Sequence, residues 1–354
     1  MVHKRLILDS MIPEKLLYDP EEGYGFVFPD GTVRNEEKRD SLPGEYSVPP
    51  VPSFNVDVPD GNYKVCIKAS MTGDKRDLAI RTGPGHLNRR IVQAEREECF
   101  AVHVCDGKLK IAFIGNQPFS GSLEITSAPE VPILFLAGDS TVTDQSSSQL
   151  PFCGWGQMLP FYLPEDVAVS NHAMSGRSSK SFIEEGRLER IWNRIRENDF
   201  LFIQFGHNDE KDNEGGTRPL STYQDYLRIY IEGARKRGAF PVLISPMHRR
   251  LFDEQGNIIN THGDYLAAME ELSLKEKVPY IDLAGKSKTL YEKLGEEGTK
   301  KLFMWADPGD YAKYPEGIQD NTHFQESGAL EIAKLVAEGM KEHKLEPFSA
   351  ITGY

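Results

Sequence analysis

The chain of 354 residues is 39% apolar and 27% charged, ordinary globular material and long enough for more than one domain. Against 54 Asp and Glu stand 41 Lys and Arg, a formal charge of −13. That charge argues against nucleic acid or an anionic membrane surface as the main partner and favours a neutral or small substrate.

The amino terminus, MVHKRLILDSMIPEKLLYDP, carries basic residues, but its apolar patch Leu6-Ile7-Leu8 is broken at once by Asp9. A signal peptide needs a longer apolar core, and no stretch approaches the roughly 20 apolar residues of a membrane-spanning helix. The expected location is therefore cytoplasmic, with no membrane partner.

Up to about residue 128, short strand-like runs follow one another: Tyr24–Phe28, Ser53–Val58, Tyr63–Lys68, Ala101–Val104 and Leu109–Ile114. Asp60-Gly61-Asn62 and Asp106-Gly107 are turn signals between such runs. Close spacing without helical periods predicts an antiparallel β-sandwich over residues 1–128. Cys66, Cys99 and Cys105 lie in these runs and Cys153 further on. All four are expected as buried free thiols, since free cysteine packs as a small hydrophobe. No Cys-x-x-Cys pair occurs, and neither a metal site nor a cofactor is expected.

From residue 129 to 354 the pattern becomes strand, loop, helix. Strands are predicted at Ile133–Ala137, Asp166–Ser170, Asp199–Phe205, Phe240–Ser245 and Pro279–Leu283, with helices at Lys180–Asn198, Thr222–Arg237, Tyr265–Lys277 and Ser327–His343. Such alternation implies parallel βαβ units and a three-layer α/β domain. Gly256–Gly263 and Tyr311–Ile318 read as loops at the ligand-binding rim.

The first of these strands runs into Gly138-Asp139-Ser140. A serine just past the carboxyl end of a parallel strand sits where open α/β sheets bind ligands. A hydroxyl needs a base and an orienting acid before it becomes a nucleophile. Asp320-x-x-His323 supplies both: the carboxylate accepts from one ring nitrogen, and the other is left for Ser140. Acyl transfer also needs donors for a developing oxyanion. Candidates are the Ser140 and Gly176 N–H groups and the side-chain amide of Asn208, which follows the apolar strand ending at Phe205. Asp139 is expected to fix the loop rather than to orient His323.

The four ordered blocks, Gly138-Asp139-Ser140, Gly176, Gly206-x-Asn208-Asp209 and Asp320-x-x-His323, resemble those of the SGNH (GDSL-type) hydrolases over roughly residues 131–343. Gly154-Trp155-Gly156-Gln157, Gly176-Arg177-Ser178-Ser179, Gln204–Asp209, Arg249-Arg250 and Asp320–Phe324 look like the rhamnogalacturonan acetylesterase branch, in which Thr141 is also familiar. The resemblance implies a flavodoxin-like three-layer α/β/α fold and metal-free removal of acetyl groups from pectic oligosaccharides. Val58–Val65 is similar to the opening of galactose-binding-like sandwich modules that accompany some bacterial members.

Four further residues are candidates for the sugar: Trp155 and Tyr311 as stacking faces, His172 as pocket lining, and Arg249 as a bidentate ligand for a galacturonate carboxylate. Other readings stay open at this point. An esterase for acetylated xylan or another acetylated sugar fits the same residues, and a non-catalytic carbohydrate-binding protein is the rival from another class. Oligomeric state is not legible.

Overall fold

A computed structural model describes residues 2–9, 16–27, 53–74, 76–115, 118–145, 151–311 and 313–347. Among the described residues, nine strands precede residue 128: β1 (His3–Asp9), β2 (Tyr24–Val27), β3 (Ser53–Asp57), β4 (Gly61–Met71), β5 (Leu78–Thr82), β6 (His86–Ile91), β7 (Glu95–Val104), β8 (Lys108–Gly115) and β9 (Phe119–Ser127). They form two antiparallel sheets, in the orders β1-β9-β4-β7 and β2-β3-β8-β5-β6. Val65, Ile67, Phe100, Leu123 and Ile125 of the first sheet share one buried cluster with Phe54, Val56, Ile80, Leu109 and Ile111 of the second. This is the arrangement the alternating apolar residues of each strand require, since period two places every second side chain on the inner face.

Two cysteine expectations fail here. Cys66 and Cys99 stand directly opposite each other on β4 and β7, their Cα atoms 4.2 Å apart, and form a disulfide. A spacing of 33 residues carries no hint of this, because only the strand register brings the two sulfurs together. Cys105 and Cys153 lie outside any disulfide; Cys153 is buried as expected, whereas Cys105 is only half-buried.

The second half is built on five parallel strands: β10 (Ile133–Gly138), β11 (Ala168–Asn171), β12 (Phe200–Gln204), β13 (Phe240–Ile244) and β14 (Tyr280–Ile281), in the order β11-β10-β12-β13-β14. Strand β10 shows why a continuous apolar run is needed: Ile133, Phe135 and Ala137 join one buried cluster while Leu134 and Leu136 join another. The helices are α1 (Trp155–Met158), α2 (Ser179–Glu184), α3 (Arg187–Trp192), α4 (Gln224–Arg235), α5 (Tyr265–Glu276), α6 (Leu283–Thr299) and α7 (Glu326–Glu342). One face of the sheet is covered by α2 to α5 through Phe182, Ile191, Tyr230 and Leu272, the other by α1, α6 and α7 through Trp155, Tyr291 and Val336. The result is a three-layer α/β/α unit.

Three local differences from the sequence reading have physical causes. The helix expected over Lys180–Asn198 is broken into α2 and α3 at Gly186, whose φ of +70° is left-handed. Helix α6 escaped notice because its glycines Gly285, Gly295 and Gly298 dilute the helical pattern. The Asp320–His323 segment, for which no strand is predicted, lies on β16 (Ile318–Phe324), paired antiparallel with β15 (Phe303–Ala306).

The two halves meet at a tight apolar seam of Ala101, Ala128, Val131 and Ala168. Around it the Asn62 amide donates to Val131 O at 2.8 Å, and Arg89 donates to Pro160 O at 3.2 Å. Leu87 of β6 packs into the same cluster as Trp155 and Leu136.

Candidate active site

Strand β10 lies between β11 and β12, where the chain leaves to one side and then the other; this is the switch point at which open α/β sheets bind ligands. Immediately past it, Asp139 is fully buried and its Oδ1 accepts from Thr141 N at 2.9 Å and Thr141 Oγ1 at 2.8 Å. The Asp139 carbonyl accepts from Val142 N and Thr143 N. The carboxylate thus folds the turn that presents Ser140, and burial pushes its pKa upward.

Ser140 Oγ lies 2.8 Å from His323 Nε2, and His323 Nδ1 lies 2.7 Å from Asp320 Oδ2. Because a carboxylate only accepts, Nδ1 carries the proton and Nε2 is left to accept from the serine hydroxyl. Asp320 Oδ1 accepts from Thr322 N at 2.7 Å and His323 N at 3.0 Å. Burial raises the Asp320 pKa, but the His323 hydrogen bond and charge and these two N–H groups outweigh it and hold the carboxyl below its usual value.

Gly176 occupies the third position of a turn closed by Arg177 N to Met174 O, with a φ of +82° that strains any side chain. The turn is tied to the nucleophile strand by Met174 N donating to Gly138 O at 3.0 Å. Asn208 is buried; its Nδ2 donates to Arg177 O at 3.1 Å, and Lys211 Nζ donates to its Oδ1 at 2.7 Å. One amide hydrogen therefore remains for another acceptor. Among the described residues, no acceptor takes the N–H of Ser140 or of Gly176.

Asp209 ties this block to α2: its carboxylate accepts from Ser179 N at 3.1 Å, from Ser179 Oγ, and from Thr217 Oγ1 at 3.3 Å. Burial, opposed by those donors, pushes its pKa up to about 7.

Three of the sugar-binding expectations need correction. Trp155 is wholly buried, its Nε1 donating to Gln204 Oε1 at 2.7 Å, so it has no face for a sugar. His172 is buried against the Phe135 ring and 3.2 Å from Ser170 Oγ, and burial lowers its pKa to about 3. It packs rather than lines a pocket. Arg249 has already spent its fork: Nη2 pairs with the Glu210 carboxylate and Nη1 donates to Thr261 Oγ1 at 2.9 Å. The same Glu210 accepts from His262, whose ring packs on His207. Tyr311 is half-buried and bridges to Tyr314.

Several residues beside the site are given no role by the sequence reading. The Phe152 ring meets His323 edge-on at 5.3 Å and Tyr314 at 6.1 Å. Behind the histidine, Asn321 Oδ1 accepts from Trp305 Nε1 at 2.9 Å and from Arg250 Nη1 at 3.2 Å, and Arg250 lies over the Trp305 ring at 4.5 Å.

Residues 134–336, from β10 to within α7, match the model of the GDSL-like lipase/acylhydrolase family. The chain belongs to that family. It is a carboxylic ester hydrolase of the SGNH type. Two relatives from Bacillus subtilis strain 168 resemble it: the rhamnogalacturonan acetylesterase RhgT, 50% identical over 209 residues (59% of this chain, 89% of RhgT), and the probable rhamnogalacturonan acetylesterase YesY, 46% identical over 211 residues (59% and 92%). The crystal structure of the B. subtilis protein YxiM shares the fold with a TM-score of 0.57 and 24% identity, over 97% of this hydrolase and 99% of the crystallised chain.

Proposed function

We propose that this hydrolase is a serine acetylesterase that removes O-acetyl groups from rhamnogalacturonan-type pectic oligosaccharides through an acetyl-serine intermediate. The observation that carries the reading is the continuous hydrogen-bonded line from Asp320 through His323 to Ser140. The likeness to RhgT and YesY, which are named for rhamnogalacturonan, supports the substrate class.

In the reaction, Ser140 Oγ attacks the acetyl carbonyl carbon as its proton passes to His323 Nε2, and Asp320 steadies the imidazolium. The negative charge that builds on the carbonyl oxygen is met by the N–H groups of Ser140 and Gly176 and the free amide hydrogen of Asn208. The tetrahedral adduct collapses, the bond to the sugar oxygen breaks, and His323 returns the proton to that oxygen. Water then attacks the acetyl-serine with His323 as base, the bond to Ser140 Oγ breaks as His323 returns the proton to Oγ, and acetate leaves. Tyr311, with Phe152 and Tyr314, is our candidate for contact with the sugar. Residues 1–128 form a galactose-binding-like sandwich module and residues 129–354 the catalytic domain in this reading.

The test is acetate release from acetylated rhamnogalacturonan, xylan and chitin oligosaccharides. Preferential turnover of the first supports the proposal. Preference for xylan would move the enzyme to another sugar, and silence on every acetyl ester would overturn the esterase reading altogether.

A further inference from the structure

RhgT and YesY are matched over 89% and 92% of their own lengths while covering 59% of this chain, so they have no room for nine additional strands. Here those strands do more than abut the catalytic unit. The β5–β6 hairpin, Leu78 to Ile91, touches both arms of the candidate site.

On the serine side, His86 Nε2 donates to Asp144, 3.0 Å from each carboxylate oxygen, and the Asp144 side chain is only 1% exposed. Asn171 Nδ2 donates to the same carboxylate at 2.9 Å and to Val142 O at 2.8 Å. One residue on, the Gln145 side chain donates to Ser140 O at 3.1 Å, while its own carbonyl shares Gln157 Nε2 with Pro84 O of the hairpin, both at 3.0 Å. On the histidine side, Arg81 donates to Gly85 O at 3.0 Å, shaping the hairpin turn, and pairs with Glu326 at 2.7 Å. Glu326 opens α7, three residues after His323.

We propose that this hairpin is a brace that sets the register of Ser140 against His323, with His86 and Arg81 as positioning residues. The two reacting groups are held by segments 183 residues apart in the chain, and a contact worth little in stability still matters if it fixes their separation. Removing His86 takes one of the donors from a buried carboxylate that Asn171 also holds, which weakens the tie between the hairpin and the loop that carries Ser140. The inference rests on the serine esterase reading, and its test is chosen so that the two fail differently.

The full-length enzyme and its His86→Ala, His86→Gln and Arg81→Gln variants are compared in three readouts: kcat and KM on 4-nitrophenyl acetate, the rate of Ser140 modification by a fluorophosphonate, and Tm. His86→Ala is expected to lower kcat and the modification rate about tenfold with KM within about twofold; His86→Gln, which keeps a donor toward Asp144, recovers most of the loss. Arg81→Gln, facing a Glu326 side chain that is 57% exposed, folds and loses about threefold in both rates. Wild-type rates in folded His86→Ala and Arg81→Gln would overturn the brace, as would a fall in Tm alone. If His86→Ala does not fold, Arg81→Gln decides. A wild-type chain that reacts with the fluorophosphonate but cleaves no acetyl ester loses the substrate reading only, and the brace is then judged on the modification rates. One that reacts with neither loses both.

Discussion

Arg250 and Asn321 are joined twice: the Arg250 backbone N–H donates to Asn321 O at 2.8 Å, and its guanidinium reaches Asn321 Oδ1 at 3.2 Å. Arg250 is itself buried, with Nε on Thr299 Oγ1 at 3.0 Å and Nη2 on Glu296 O at 2.5 Å. A buried guanidinium with each nitrogen bonded thus grips one of the two residues between the acid and the base. Arg250→Lys, which lacks the planar fork, should lower kcat about tenfold with little change in KM. A raised KM with unchanged kcat would show that Arg250 does not act on the histidine segment.

Ser140→Ala should abolish acetyl-ester turnover while leaving Tm within a few degrees, because among the described residues the half-buried hydroxyl bonds only to His323. Asp320→Asn should cost about 10⁴ in kcat, since an amide no longer selects the tautomer with its proton on Nδ1. Both are read by steady-state kinetics on 4-nitrophenyl acetate; turnover by Ser140→Ala above the uncatalysed rate would remove Ser140 from the mechanism.

Asn208→Ala removes one oxyanion donor and should reduce kcat by about 10² to 10³. Lys211→Met leaves the amide in place but frees its orientation, so a smaller loss is expected, measured in the same assay. Equal kcat in Asn208→Ala and wild type would place the developing charge elsewhere.

Stability should fall on acidification from about pH 6.5 to pH 4. Burial lowers His103 and His248 to about 4 and His172 to about 3, so the unfolded chain takes up protons through this window before the native state does. Native stability is therefore complete above the unfolded histidine value and is lost below it. Asp209, raised to about 7, acts in the opposite sense: its native form holds a proton that the unfolded chain has released. Urea midpoints at pH 4, 5, 6 and 7 test this. Asp209→Asn should make the acid loss steeper, and a curve that rises toward pH 4 would contradict the histidine assignment.

Under non-reducing conditions the chain should show two alkylatable thiols after denaturation and four after reduction, counted by mass spectrometry. Four before reduction would refute the Cys66–Cys99 bridge.

Most of what one strand and its neighbours dictate was legible from residues alone. The run Ile133–Ala137 announces a strand buried on both faces, and Ser140, Asp320 and His323 stand where chemistry needs them because each lies at the end of a patterned segment or inside a compact motif. What failed depends on partners distant in sequence. Whether Trp155 is a platform or a core residue is decided by Gln204, 49 residues on; whether Arg249 is open to a ligand is decided by Glu210, 39 residues back. Strand β16 reads IQDNTHF, too polar to announce itself, and is held as a strand by pairing with β15. His86 and Asp144 look unremarkable until the hairpin is folded against the nucleophile loop.

The disulfide also simplifies the chain for a chemist. With Cys66 and Cys99 tied to each other and the buried Cys153 thiol pushed by desolvation far from thiolate character, half-buried Cys105 is the thiol more accessible to a maleimide dye. A fluorophore there, in the turn between β7 and β8 and without any engineered residue, would report by its anisotropy and quenching whether the N-terminal sheets move when Ser140 is acylated.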